Sequence, residues 1–125
     1  MSVQRNSPLP HQFEPLNNSA WEVTTSCVAR LIDRGEEFLL VDCRTKEEWE
    51  ADGLQDALNL PLQQCSTRMH ELEAHRTRPI VTYCRTGRRS AIVTKYLHMS
   101  GFLHVRSMAG GIEAWLEHSS SKSGH

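Results

Sequence analysis

The sequence predicts a parallel α/β domain. Apolar runs of strand type, Glu37-Phe38-Leu39-Leu40-Val41-Asp42 and Pro79-Ile80-Val81-Thr82-Tyr83, alternate with segments whose apolar residues recur at helical spacing. The first run is nearly continuous and ends in an acid, as a strand buried on both faces of a parallel sheet does. Strands alternating with helices over residues 21–118 form a sheet covered on both faces, with ligands bound beyond the C-terminal strand ends.

Each element has its own signal. Residues 1–20 are polar, carry three prolines and show no period, so they are expected to be a flexible extension that touches the domain through Phe13 or Leu16. Trp21-Glu22-Val23 suits a short strand. Thr24 suits a helix N-cap, with Val28, Leu31 and Ile32 on one apolar face, Cys27 near it and Gly35 as the stop. After the run at 37–42, Thr45 and Glu48 have the spacing of a capping box and open a helix through Trp49 that ends near Asp52-Gly53. Ala57-Leu58-Asn59-Leu60 reads as a third strand, ended by Pro61. Ser66 or Thr67 can cap a helix that carries Met69, Leu72 and Ala74 to about His75. The strand at 79–83 is followed by a helix with Ile92, Val93, Tyr96 and Leu97 at helical spacing, closed by Gly101. Phe102 to Val105 reads as the fifth strand, and Gly110-Gly111 breaks the chain before a helix with Ile112 and Trp115. Residues 119–125 are expected to form a flexible tail.

Totals bound the function. At 125 residues, 38% of them hydrophobic, the chain has enough material for one domain with a real core. A net charge of -1, from 14 basic and 15 acidic side chains, argues against non-specific nucleic-acid binding. No apolar run has the length of a membrane span, and the N-terminus lacks the apolar core of a signal peptide, so a cytoplasmic location is the expectation. Cys27, Cys43, Cys65 and Cys84 are scattered without a C-x-x-C pair and are expected to be thiols. Among seven histidines none pairs with another at i, i+4, and none has cysteine at zinc-site spacing. Neither a metal nor a cofactor is expected. The three tryptophans are spread through the chain as core or rim anchors, and a monomer is the default expectation.

The chemistry gathers in Cys84-Arg85-Thr86-Gly87-Arg88-Arg89-Ser90, between the strand and the helix. Such a turn aims backbone N–H groups and the positive end of a helix dipole at its occupant. A cysteine there, beside cations, is pushed toward thiolate and becomes a nucleophile. Taken alone Cys84 would read as a small buried hydrophobe. The preceding strand, Gly87 and the three arginines favour a thiolate in an anion cradle. Asp42-Cys43-Arg44 ends a neighbouring strand at the same edge.

These segments together resemble the single-domain rhodaneses, the sulfurtransferase family. The likeness runs from Val41-Asp42-Cys43-Arg44 and Glu48-Trp49 through Ala57-Leu58-Asn59-Leu60-Pro61 and the Cys84 loop to Gly110-Gly111-Ile112-Glu113-Ala114-Trp115. One departure is visible: where the family has a Gly-His pair and a later Gly, this chain has Asp52, Gly53 and Asp56. The resemblance implies a rhodanese-like single domain at 21–118, with a central parallel sheet of about five strands and helices on both faces. It also implies that Cys84 takes the outer sulfur of a small anionic donor such as thiosulfate, becomes a persulfide and passes the sulfur to cyanide or a thiol. Arg85 and Arg88 are the candidates for facing the donor. Arg89 either joins them or turns inward to pair with Asp42. Thr86 contributes backbone, Gly87 the turn, Ser90 a polar contact, and Asp42 and Arg44 structural support.

Two rival functions share the fold. Rhodanese-like phosphatases and arsenate reductases place an arginine six residues after the cysteine; here that position is Ser90 and the arginine is Arg89, so the loop is one residue shorter and suits a single sulfur atom. Rhodanese domains also serve as sulfur relays, which would make a protein the sulfur donor or acceptor. Cys43 or Cys65 could act as a resolving thiol toward an oxidised Cys84, although packing explains both.

Overall fold

The computed structural model describes residues 21–123, with side chains as far as Ser119; the extension expected at 1–20 lies outside the described residues. Elements run in the order β1 (Glu22–Val23), α1 (Thr25–Asp33), β2 (Leu39–Asp42), α2 (Lys46–Asp52), β3 (Leu58–Asn59), a segment of short turns, β4 (Pro79–Tyr83), α4 (Arg88–Met99), β5 (His104–Met108) and α5 (Gly111–Ser123). The segment of short turns holds a 3-10 turn (Leu62–Gln64), α3 (Cys65–Arg68) and a second 3-10 stretch (Met69–His75).

The strands form one sheet in the order β1-β5-β4-β2-β3, every neighbouring pair parallel. Alternation along the strands divides the core in two. On one face Leu40, Val81, Tyr83 and Met108 pack with Val23, with Cys27, Val28 and Leu31 of α1 and with Ile112 of α5. On the other, Val41, Cys43, Ile80, Cys84 and Val105 pack with Val93 and Leu97 of α4 and with Cys65 and Leu72. The central strand β4 is therefore buried on both sides, which explains its unbroken β-branched and aromatic character. No helix among the described residues is long and apolar enough to cross a membrane.

Several local signals form as expected. Thr24 Oγ1 accepts the Cys27 N–H at 3.1 Å, and Thr45 and Glu48 close a capping box at 3.2 and 3.0 Å. Others differ. Neither Ser66 nor Thr67 caps a helix: the Thr67 hydroxyl donates back to the Gln64 carbonyl, a local bond that competes with a continuous helix. Ile32, Ile92 and Tyr96 are exposed, and on α4 the buried positions are Ser90, Val93, Thr94 and Leu97. The fifth strand starts at His104, while Phe102, buried, precedes it as a core plug. The last helix continues to Ser123, into the stretch expected as tail.

The family's departure also has a structural counterpart. Asp56 adopts φ 67°, the left-handed region that glycine occupies without strain and aspartate tolerates. Asp52 is recruited into an ion pair with Arg44 at 2.9 Å.

Candidate active site

Cys84 follows β4 directly and is buried, with 1% of its surface exposed. The chain then turns through Gly87, at φ 107°, into α4. This conformation is open to glycine and strained for other residues. It folds the loop back so that Cys84 Sγ accepts the N–H of Gly87 at 3.2 Å and that of Ser90 at 3.3 Å. Ser90 Oγ lies 3.6 Å from the sulfur. Burial raises the thiol pKa, but the Ser90 hydroxyl and the N–H groups of Ser90, Gly87 and Thr86 outweigh it, and the net direction is down. Cys27, Cys43 and Cys65 go the other way, raised by burial. Cys84 is thus the one described cysteine whose surroundings favour the thiolate.

The cradle is braced from below. Ser90 Oγ is 2.7 Å from Ser107 Oγ on β5 and 3.3 Å from the Gly87 carbonyl. Thr82 Oγ1 is shared between the Ser90 carbonyl at 3.3 Å and Thr94 Oγ1 at 2.8 Å. From above, α5 docks on the loop: the Ile112 N–H donates to the Cys84 carbonyl at 2.8 Å and the Glu113 N–H to that of Arg85 at 3.1 Å. A Cβ on Gly111 would collide with both carbonyls, so only glycine allows this approach. Sequence reasoning took Gly110-Gly111 as a chain break and missed Gly111 as a seat for the loop; the pair of glycines after a strand was the available signal.

Of the two roles expected for Arg89, the inward pairing with Asp42 is not taken; Arg89 pairs with Glu48 of α2 at 2.9 Å. Arg85 reaches the same carboxylate at 3.2 Å and lies 4.0 Å from Glu113. Arg89, helped by the bonds to Thr45, holds the Glu48 pKa down at about 2. Arg88 is exposed and makes no ion pair or side-chain hydrogen bond with a described residue. The lowered Cys84 pKa therefore comes from N–H and O–H donors, while two of the three loop cations are committed to Glu48. Asp42 is occupied by Arg44, both fully buried, through bonds of 2.9 to 3.3 Å. Burial would lower the Arg44 pKa, and the bonds to Asp42 and Asp52 raise it instead. Asn59 Nδ2 donates to the carbonyls of Asp42 and Arg44, at 3.1 and 3.0 Å. This network fixes the end of β2 beside the Cys84 loop. Thr86 is exposed, and its N–H is its contribution.

A model of the rhodanese-like domain matches residues 24–118. The chain belongs to the rhodanese-like family. A sulfurtransferase of Allochromatium vinosum is 36% identical over 97 residues, covering 78% of this chain and 89% of that protein. An Arabidopsis thaliana adenylyltransferase and sulfurtransferase, MOCS3, is 29% identical over 99 residues, but the match covers 68% of this chain and only 21% of the larger protein. Among solved structures, the human single-domain sulfurtransferase superposes with a TM-score of 0.69 at 23% identity, over 79% of this rhodanese-like chain and 97% of that one, a likeness of fold.

Proposed function

We propose that this rhodanese-like domain is a sulfurtransferase working through a persulfide on Cys84. The observation that carries the reading is a buried sulfur with N–H donors at 3.2 and 3.3 Å; in support, the arginine falls at Arg89, one residue nearer the cysteine than in the rhodanese-like phosphatases. The Cys84 thiolate attacks the outer sulfur of thiosulfate. The new S–S bond forms as the bond to the sulfonate sulfur breaks, and its electron pair leaves with sulfite. The persulfide that remains carries one negative charge, which the loop N–H groups and the helix N-terminus stabilise as they did the thiolate. Cyanide or a thiolate then attacks the terminal sulfur and the Cys84 thiolate returns. Arg88, with no ion-pair or side-chain hydrogen-bond partner among the described residues, meets the anionic donor; Arg85 and Arg89 hold the loop through Glu48.

Thiocyanate formation from thiosulfate and cyanide tests this. Parallel lines in double-reciprocal plots are expected, with activity lost in Cys84→Ala and KM for thiosulfate raised several-fold in Arg88→Ala. Normal turnover in Cys84→Ala would overturn the assignment.

A second reading is a sulfur relay, in which a protein persulfide loads Cys84. It draws on the commitment of Arg85 and Arg89 to Glu48, which weakens the attraction for a free dianion, and on the likeness to MOCS3, a protein named as both adenylyltransferase and sulfurtransferase. Faster loading from a protein persulfide than from thiosulfate would select it. A cytoplasmic, monomeric protein remains the working proposal, tested by fractionation and by light scattering.

A further inference from the structure

Cys43 is one of the thiols that the proposed reaction leaves unused, and its position is set by the sheet. β2 and β4 pair in register, Val41 opposite Thr82 and Asp42 opposite Tyr83. The Cys43 N–H continues that ladder, donating to the Tyr83 carbonyl at 2.8 Å, so the next opposed pair is Cys43 and Cys84. Adjacent strands lie ~4.8 Å apart, within the ~4.4–6.8 Å Cα separation of disulfides. Alternation turns both side chains to the same face: both belong to the cluster of Val41 and Ile80, while Leu40, Val81 and Tyr83 pack on the opposite face. Cys27 lies on that opposite face. Cys65 shares the Cys84 cluster but sits in α3, outside the ladder.

We infer that Cys43 is a resolving thiol for Cys84, and that the pair is a site of reversible oxidation by hydroperoxides. The Cys84 thiolate attacks a peroxide oxygen; the O–O bond breaks, alkoxide or hydroxide leaves, and Cys84 becomes a sulfenic acid. The Cys43 sulfur then attacks Cys84 Sγ. An S–S bond forms, the S–O bond breaks, and the hydroxyl departs as water with the Cys43 proton. Peroxide gains two electrons and each thiol gives one; an external dithiol reverses the change. The roles are divided by environment. Cys84 is the thiol biased to thiolate. Cys43 is held neutral by burial and by the charge at Cys84, so it does not compete for the oxidant. The disulfide would keep Cys84 from advancing to the irreversible sulfinic and sulfonic acids.

Trypsin separates the four cysteines: Cys27 falls in Asn6–Arg30, Cys43 in Gly35–Arg44, Cys65 in Glu47–Arg68 and Cys84 in Thr77–Arg85, the Arg78–Pro79 bond resisting cleavage. The reduced full chain is treated with hydrogen peroxide, alkylated to block exchange and mapped without reductant. A cross-link between Gly35–Arg44 and Thr77–Arg85 is expected in the wild type and in Cys65→Ser. In Cys43→Ala the cross-link should vanish and Cys84 should collect as sulfinic acid, with dithiothreitol restoring a free Cys84 thiol in the wild type and in Cys65→Ser but not in Cys43→Ala. A cross-link to Glu47–Arg68 in place of Gly35–Arg44, or sulfinic acid at equal rates with and without Cys43, would overturn the inference. The wild-type map decides the pairing even if Cys43→Ala fails to fold, and no readout depends on sulfur transfer.

Discussion

Replacing Ser90 with alanine separates the two tasks of that side chain. Its hydroxyl contributes to the Cys84 thiolate from 3.6 Å and meets Ser107 Oγ at 2.7 Å. A hydrogen bond to a charged group contributes ~1.5–3 kcal/mol, so losing this donor should raise the Cys84 pKa and move its alkylation midpoint to higher pH. The backbone donors at Gly87 and Ser90 survive the change, so part of the bias toward thiolate remains. Independently, the Ser107 hydroxyl, 1% exposed, is stranded. A buried orphan costs ~1–3 kcal/mol, or roughly 5–15 °C in Tm for a domain of this size. The double variant Ser90→Ala/Ser107→Ala removes the orphan, so it should regain most of the Tm while keeping the raised pKa. The assay is the pH dependence of iodoacetamide alkylation at Cys84, read on the Thr77–Arg85 peptide, beside thermal melts. An unchanged alkylation midpoint in folded Ser90→Ala, or a midpoint that returns to wild type in the double variant, would refute the reasoning.

Further outcomes follow from the same geometry. Cys84 has a folded pKa below its unfolded value, so its ionisation stabilises the fold above the ordinary thiol pKa and stops doing so as pH falls through the folded one; urea melts should show Cys84→Ala losing more stability, relative to wild type, at pH 9 than at pH 6. Glu48→Gln frees Arg85 and Arg89 and should lower KM for thiosulfate at a cost of about 1 kcal/mol in stability. Because Glu48 is held down at about 2, its contribution in the wild type is present above the ordinary carboxylate range and is lost as pH falls toward 2. Arg44→Met leaves Asp42 buried and uncompensated, with a loss of ~3–5 kcal/mol expected in denaturant melts. Asp56→Gly relieves a positive φ and should raise Tm by a few degrees, reflecting a gain of roughly 0.5 kcal/mol after the larger unfolded-state entropy of glycine.

The strands β2 and β4, the capping box and the Cys84 loop were legible because each has a short-range signal: β-branched runs, a three-residue spacing, a glycine at a forced turn. The family resemblance placed Asp42 and Arg44 as supports, and the structure describes both in the buried network beside the loop. What stayed hidden depends on distance in sequence. Glu48 shows in sequence as a cap and in space also as the clamp on two loop arginines, 37 and 41 residues away. The same separation explains the misplaced Arg89: an acid at a strand end looked available, but Arg44, two residues on, already fills it. The segment after Pro61 misled because its helical apolar spacing is broken by local side-chain bonds, such as that of Thr67. Ser107 and Gly111 act on the loop from later elements, and only the fold brings them there.

The most direct measurement is the intact mass of the reduced protein before and after thiosulfate, on wild type and Cys84→Ala. The wild type should gain one sulfur atom, lose it to cyanide with thiocyanate released, and show the added mass on Thr77–Arg85, while the variant gains nothing. A folded, reduced wild type that gains no sulfur from thiosulfate or from a protein persulfide, or a variant that gains it equally, would contradict a persulfide on Cys84.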